Sequence, residues 1–174
     1  MSSNFATQGS LDGFCGIYAL THLVAIKLAG EYDQIAQEVF FGILQALEKR
    51  GHLTAKKIGS AKDKDIGFED IILAKAFNGI TLKRRKSLKA IAFSEPRFQN
   101  STYHKKPRRA FEEGCTFVVK SEGGRHWVAV TAIADDGRYL HYDPSPEDKL
   151  AKLSKIFWDQ GVMVGSSKVV DQIR

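Results

Sequence analysis

Cysteine is scarce: Cys15 and Cys115 are the only two thiols in 174 residues. Two cysteines do not build a disulfide framework, so free thiols in a reducing compartment are expected. Neither belongs to a Cys-x-x-Cys pair, and no close pair of histidines offers zinc-ligand spacing. No zinc site is therefore expected, and the cysteine chemistry described below requires no metal and no organic cofactor. Long apolar runs are also missing, and none approaches the roughly 20 residues of a membrane span. The N-terminal "MSSNFATQGS" lacks a basic stretch followed by an apolar core, so no secretory signal is expected. These absences point to the cytoplasm, or to an effector exported by a route that needs no signal peptide. Internal repeats and low-complexity segments are absent too.

What is present suits one domain with a sizeable core, spanning residues 1–174. The formal net charge is +6, and the excess collects in "KRRK" (Lys83–Lys86) and "HKKPRR" (His104–Arg109). Such runs can engage an acidic protein, and Lys83–Lys86 and Lys105–Arg109 are candidates for that role. No aromatic-rich motif accompanies them, so nucleic acid is not the expected partner.

The first half reads helical. Ile17, Leu20, Val24 and Leu28 recur at helical spacing after Cys15, and Gly30 ends the run. Ile35, Val39, Ile43 and Leu47 line a second helix, stopped by Gly51. A third helix is predicted over about Phe68 to Phe77, closed by Asn78-Gly79. "ITLKRR" reads as a strand, and Ser87 to Gly114 as a long loop with short helical pieces, broken by Pro96 and Pro107. Then the period changes. "CTFVVK", "HWVAVTAI" and "RYLHYD" are strands separated by the turns "SEGG" and "ADDG", an antiparallel meander. "SPEDKLAKLSKIFW" reads as a helix with Ser145 as N-cap and Pro146 in its first turn, and "GVMVG" as a last strand. Helices first and sheet second make the fold class α+β, with a helical lobe over about 1–90 and a sheet lobe over about 110–174.

Chemistry concentrates on a few residues. A helix opening at Cys15 aims unpaired backbone N–H groups and the positive dipole end at the sulfur, which favours thiolate. Gly13 and Gly16 leave room for a substrate backbone, although Cys15 could equally be a small core residue. His126 follows a Gly-Gly-Arg turn and opens a strand, where it can take a thiol proton and later protonate a leaving group. Asp143 ends the next strand. In an antiparallel pair the end of one strand returns beside the start of the other, so Asp143 is expected next to His126, holding its tautomer. Gln8 can join the Cys15 N–H in binding an oxyanion. His141 shares Asp143's strand face and is a second cleft candidate. Trp127 is expected in the core, as is Cys115. His22 is expected either in the core or on the surface.

The order Gln8, Cys15, His126, Asp143 resembles the papain-like cysteine peptidases. Within them, "CG" before a helix, "HWVAV" and a following "DP" most resemble the bacterial peptidases that process bacteriocin double-glycine leaders. The tail "LSKIFWDQGVMV" resembles that branch as well, whereas the Gln8-to-Cys15 interval is longer than is usual there. The resemblance implies a nucleophile helix packed on a C-terminal antiparallel sheet, and a Cys-His-Asp thiol hydrolase acting on a protein or peptide. Two alternatives stay open: an effector-type glutamine deamidase or acyl transferase using the same triad, and a basic binding module without catalysis.

Overall fold

A computed structural model describes residues 14–28, 30–54, 68–80, 87–120, 126–142, 151–153 and 160–173. Its first helix, α1 (Cys15–Lys27), buries Ile17, Ala19, Leu20, Leu23 and Val24. A helix apolar on nearly every side must be enclosed on every side, and α1 lies between a second helix and a sheet. That helix, α2 (Tyr32–Lys49), is amphipathic: the expected stripe of Ile35, Val39, Ile43 and Leu47 is its buried face. It ends at Gly51, whose φ of +69° a side chain would resist. The Gly51 N–H donates to Glu48 and the His52 N–H to Leu47, so a Schellman turn satisfies the last carbonyls.

Helix α3 (Asp70–Asn78) covers the predicted third helix. Its first residue, Asp70, is 3% exposed yet well supplied with donors. Ser94 Oγ and the Ile71 N–H donate to Oδ1, and the Ser94 and Gly161 N–H groups donate to Oδ2. One carboxylate thus joins three separate segments, and charge-assisted bonds of this kind offset its burial.

The sheet has six strands in the order β1-β6-β2-β3-β4-β5, every pair antiparallel. They are β1 (Leu88–Ala92), β2 (Thr116–Lys120), β3 (Trp127–Ile133), β4 (Tyr139–Tyr142), β5 (Ala151–Leu153) and β6 (Gly161–Ser166). The meander β2-β3-β4 is the expected one, and "GVMVG" forms β6 beside β2. One sheet face meets α1 and α3 through Ala90, Val118, Trp127, Ala129, Tyr142 and Val164, and α2 packs on those two helices. The other carries Ile91, Phe93, Phe117, Val128, Val130 and Met163. Cover on both faces explains why β2 and β6 read as unbroken apolar runs rather than alternating ones.

The architecture is therefore mixed helix and antiparallel sheet, with two corrections. Ser87 to Gly114 is not a long loop. It begins with the edge strand β1, so the sheet is not confined to about 110–174. The helices α4 (Pro96–Gln99), α5 (Thr102–Lys105) and α6 (Pro107–Glu112) follow it. Pro96 and Pro107 start helices there instead of breaking them, because a first-turn residue needs no N–H partner. Helices of four to six residues carry too little sequence to show a period. The exposed edge of β1 is guarded by Asn78, whose side chain donates to the Ala90 carbonyl and accepts from the Ala90 N–H.

The second correction concerns the helix expected after Pro144. Residues 151–153 are a strand, pairing Leu153 with Tyr139 and Ala151 with His141. The open edge of β4 supplies backbone partners that outweigh a sparse helical stripe. Ser145, Pro146, Leu150 and Phe157 lie outside the described residues, as does the strand predicted from "ITLKRR" except Ile80. A short closing helix, α7 (Ser167–Asp171), had no clear signal in the sequence.

Candidate active site

Cys15 is the first residue of α1 and is 8% exposed. The residue at its N-cap, Phe14, makes no side-chain capping bond, so the first-turn N–H groups receive no acceptor from that position. Phe14 is instead an apolar anchor. Its ring stacks on Phe68 at 6.4 Å and meets the edge of Phe40 at 6.3 Å. Those contacts fix where the helix begins, and hence where its positive end points.

Gly16 sets the next step. A Cβ there would lie 2.9 Å from Leu73 Cδ1 and 3.2 Å from Trp127 Cδ1. The space expected for a substrate backbone is filled by these two side chains. Glycine is needed because α1 and β3 approach closely. Trp127 is 2% exposed and core, as its neighbours in sequence suggested. Lys120, its cross-strand partner, holds its ammonium 5.4 Å from the indole centroid. His126 precedes β3 directly and is half-buried. A side chain on the residue after Cys15 would meet the residue after His126, so the start of α1 approaches the start of β3 closely.

Gln8 and Asp143 lie outside the described residues. The strand leading to Asp143 is described as far as Tyr142, whose Cα partner is Ala129 in β3. Tyr142 is tied to α1 through His22. The two rings stack at 3.7 Å, and His22 Nδ1 shares a 2.7 Å hydrogen bond with the Tyr32 hydroxyl. Burial lowers the His22 pKa to about 4, so its imidazole is neutral near pH 7. The sequence left His22 between core and surface; the structure makes it a buried link between α1, α2 and β4. His141 is 6% exposed and pairs with Val130, whose side chain belongs to the face away from α1. By strand alternation His141 is on that face too, and it is not brought to Cys15.

One feature near Cys15 escaped the sequence reading. A groove of about 530 Å³ runs between α1 and α2, lined by Tyr18, Tyr32, Ala36, Phe40 and Phe41 with Asp33 and Gln37. Tyr18 is one helical turn beyond Cys15 and stands 4.9 Å from the Phe40 ring. Phe41 is 59% exposed at the groove's edge. The adjacent pair Phe40-Phe41, neither of them on the buried stripe of α2, was the available signal.

The other thiol is placed quite differently. Cys115 is 1% exposed, and burial pushes its pKa up to about 11 despite the nearby Lys27 ammonium. Its sulfur sits 2.7 Å from where a Cβ on Gly165 would fall, which marks tight packing. Lys27 donates to the Gly114 carbonyl, and burial lowers its own pKa. Among the described residues no three His, Cys, Asp or Glu side chains cluster as a metal would require, and no helix is long and apolar enough to cross a membrane. Of the two basic runs, Lys83–Lys86 lies outside the described residues, while Lys105, Lys106, Arg108 and Arg109 are exposed. No family model matches the chain, and no curated protein or solved structure matches it either.

Proposed function

We propose that this protein is a papain-like cysteine hydrolase of amide bonds, most simply a peptidase. The observation that carries the reading is the contact of Gly16 with Trp127, which sets the start of α1, with Cys15, against the start of β3, with His126. A helix N-terminus favours the thiolate form of a cysteine, and a general base must lie within reach of the proton it takes.

In this reading His126 takes the Cys15 proton, and the thiolate attacks the substrate carbonyl. The oxyanion is held by the Cys15 N–H with Gln8. Collapse of the tetrahedral intermediate breaks the C–N bond, and the imidazolium returns the proton to the leaving amine. Water then attacks the thioester with His126 as base, releasing acid and free thiol. Asp143 keeps the His126 tautomer and stabilises its cation. The aromatic groove beside Tyr18 gives a bulky apolar substrate side chain a place one turn from the nucleophile.

The test is incubation of the protein with a peptide library and with folded protein substrates, read by mass spectrometry. Chain cleavage lost in both Cys15→Ala and His126→Ala supports the proposal. A gain of about one mass unit at glutamines without cleavage, again lost in both variants, would replace hydrolysis of the main chain by deamidation. Turnover that survives Cys15→Ala would end the cysteine mechanism.

A further inference from the structure

A second surface lies at the other end of β3 from His126, roughly 20 Å away along the strand at about 3.3 Å per residue. It is a cleft of about 430 Å³ between α6 and the β3–β4 hairpin. The floor is the cross-strand pair Ile133 and Tyr139, both half-buried. The walls are cationic: Lys106, Arg108 and Arg109 line it, with Glu112 as the one carboxylate.

The three cations differ in how they are held. Arg109 Nε donates to Glu113 Oε1 at 2.9 Å, and its guanidinium lies 5.9 Å from the Tyr103 ring centroid. It is a fixed wall whose charge is already balanced. Lys106 and Arg108 are exposed and have no carboxylate partner among the described residues. Lys105 adds a further exposed cation next to them. Two uncommitted cations above an apolar floor complement a ligand that offers carboxylates and an apolar side chain together. A nucleic acid would need aromatic faces on which bases stack. Tyr139 packs against Phe111 at 6.1 Å and is only half-exposed, so the cleft gives no such platform.

We propose that this cleft docks an acidic segment of a partner protein, with its carboxylates on Lys106 and Arg108 and an adjacent apolar side chain on Ile133 and Tyr139. The site does not depend on Cys15 chemistry, and it would act as an anchoring surface remote from the nucleophile.

The probe is a fluorescein-labelled decapeptide of glutamates with a central pair of leucines, followed by fluorescence anisotropy with the full chain at low salt. Comparison ligands are the same peptide with glycines for leucines and a single-stranded RNA of equal length. Lys106→Glu/Arg108→Glu should weaken the leucine peptide by about tenfold or more, the equivalent of 1.4 kcal/mol. Lys49→Glu/Lys75→Glu makes the same change in net charge at exposed sites elsewhere and should change binding by less than about twofold. The glycine peptide should bind several-fold more weakly than the leucine peptide. Equal losses in the two double variants, RNA binding as tightly as the leucine peptide, or no measurable peptide binding would each overturn the proposal. All exchanged residues are exposed, and circular dichroism of the variants checks that they fold.

Discussion

Replacing His22 by Phe should remove a defined part of this protein's acid sensitivity. His22 is 2% exposed, stacks on Tyr142 and is hydrogen-bonded to Tyr32. Burial lowers its pKa from 6.5 to about 4. The unfolded chain therefore takes up a proton as pH falls through 6.5, while the folded chain holds the ring neutral until about pH 4. The contribution is complete above pH 6.5 and is lost as pH falls from there to about 4. At about 1.4 kcal/mol per pH unit, the full loss is about 3 kcal/mol, and about 2 to 3 kcal/mol of it has gone by pH 4.5. Phenylalanine keeps a ring against Tyr142 but cannot titrate, and it forfeits about 1 kcal/mol with the Tyr32 hydrogen bond. Urea unfolding at pH 7 and 4.5 measures both effects. The wild type should be the more stable at pH 7, and should lose about 2 to 3 kcal/mol more than His22→Phe on acidification. Equal losses would mean that His22 titrates normally in the folded state, and the buried neutral link between α1 and β4 would be wrong.

Other perturbations test the packing that sets the site. Gly16→Ala places a methyl 2.9 Å from Leu73 Cδ1 and 3.2 Å from Trp127 Cδ1, so it should cost about 1 to 3 kcal/mol by urea unfolding and slow Cys15 alkylation as well. Asp70→Ala strands the Ser94 and Gly161 N–H donors, and a loss of about 2 to 4 kcal/mol is expected in the same measurement. Asn78→Ala uncovers the Ala90 N–H and carbonyl at the sheet edge. It should cost about 1 to 2 kcal/mol and raise amide exchange in β1 before the rest of the sheet.

Legibility in the sequence followed the length of each element and the source of its stabilisation. Helix α2 shows a full apolar stripe over 18 residues, and the strands of the meander are bounded by turn residues, so both were readable. The helices between β1 and β2 are too short for a period, and the ring contacts that hold them, Phe98 on Phe93 and Phe111 on Phe117, follow no helical or strand spacing that a sequence would show. Strand β5 is decided by the free edge of β4, which no local pattern encodes. At the site, Cys15 at a helix start and His126 at a strand start were both readable. The role of Gly16 was misread, because a glycine that admits a ligand and one that admits a tryptophan look the same in a sequence. The His22–Tyr142 stack was invisible for a related reason: it joins residues from two elements far apart in the chain.

The central claim is that Cys15 is a nucleophile activated by His126, and alkylation tests it most directly. Iodoacetamide modification is followed from pH 4 to 9 by peptide mass spectrometry in the wild type and in His126→Ala. Cys115 serves as the internal standard, since its buried thiol, with a pKa near 11, should stay unreactive throughout. Cys15 should react well below the free-thiol pKa of about 8.5, and that low-pH reactivity should fall sharply in His126→Ala. A Cys15 that is inert across the range, or equally reactive in both proteins, would contradict the account.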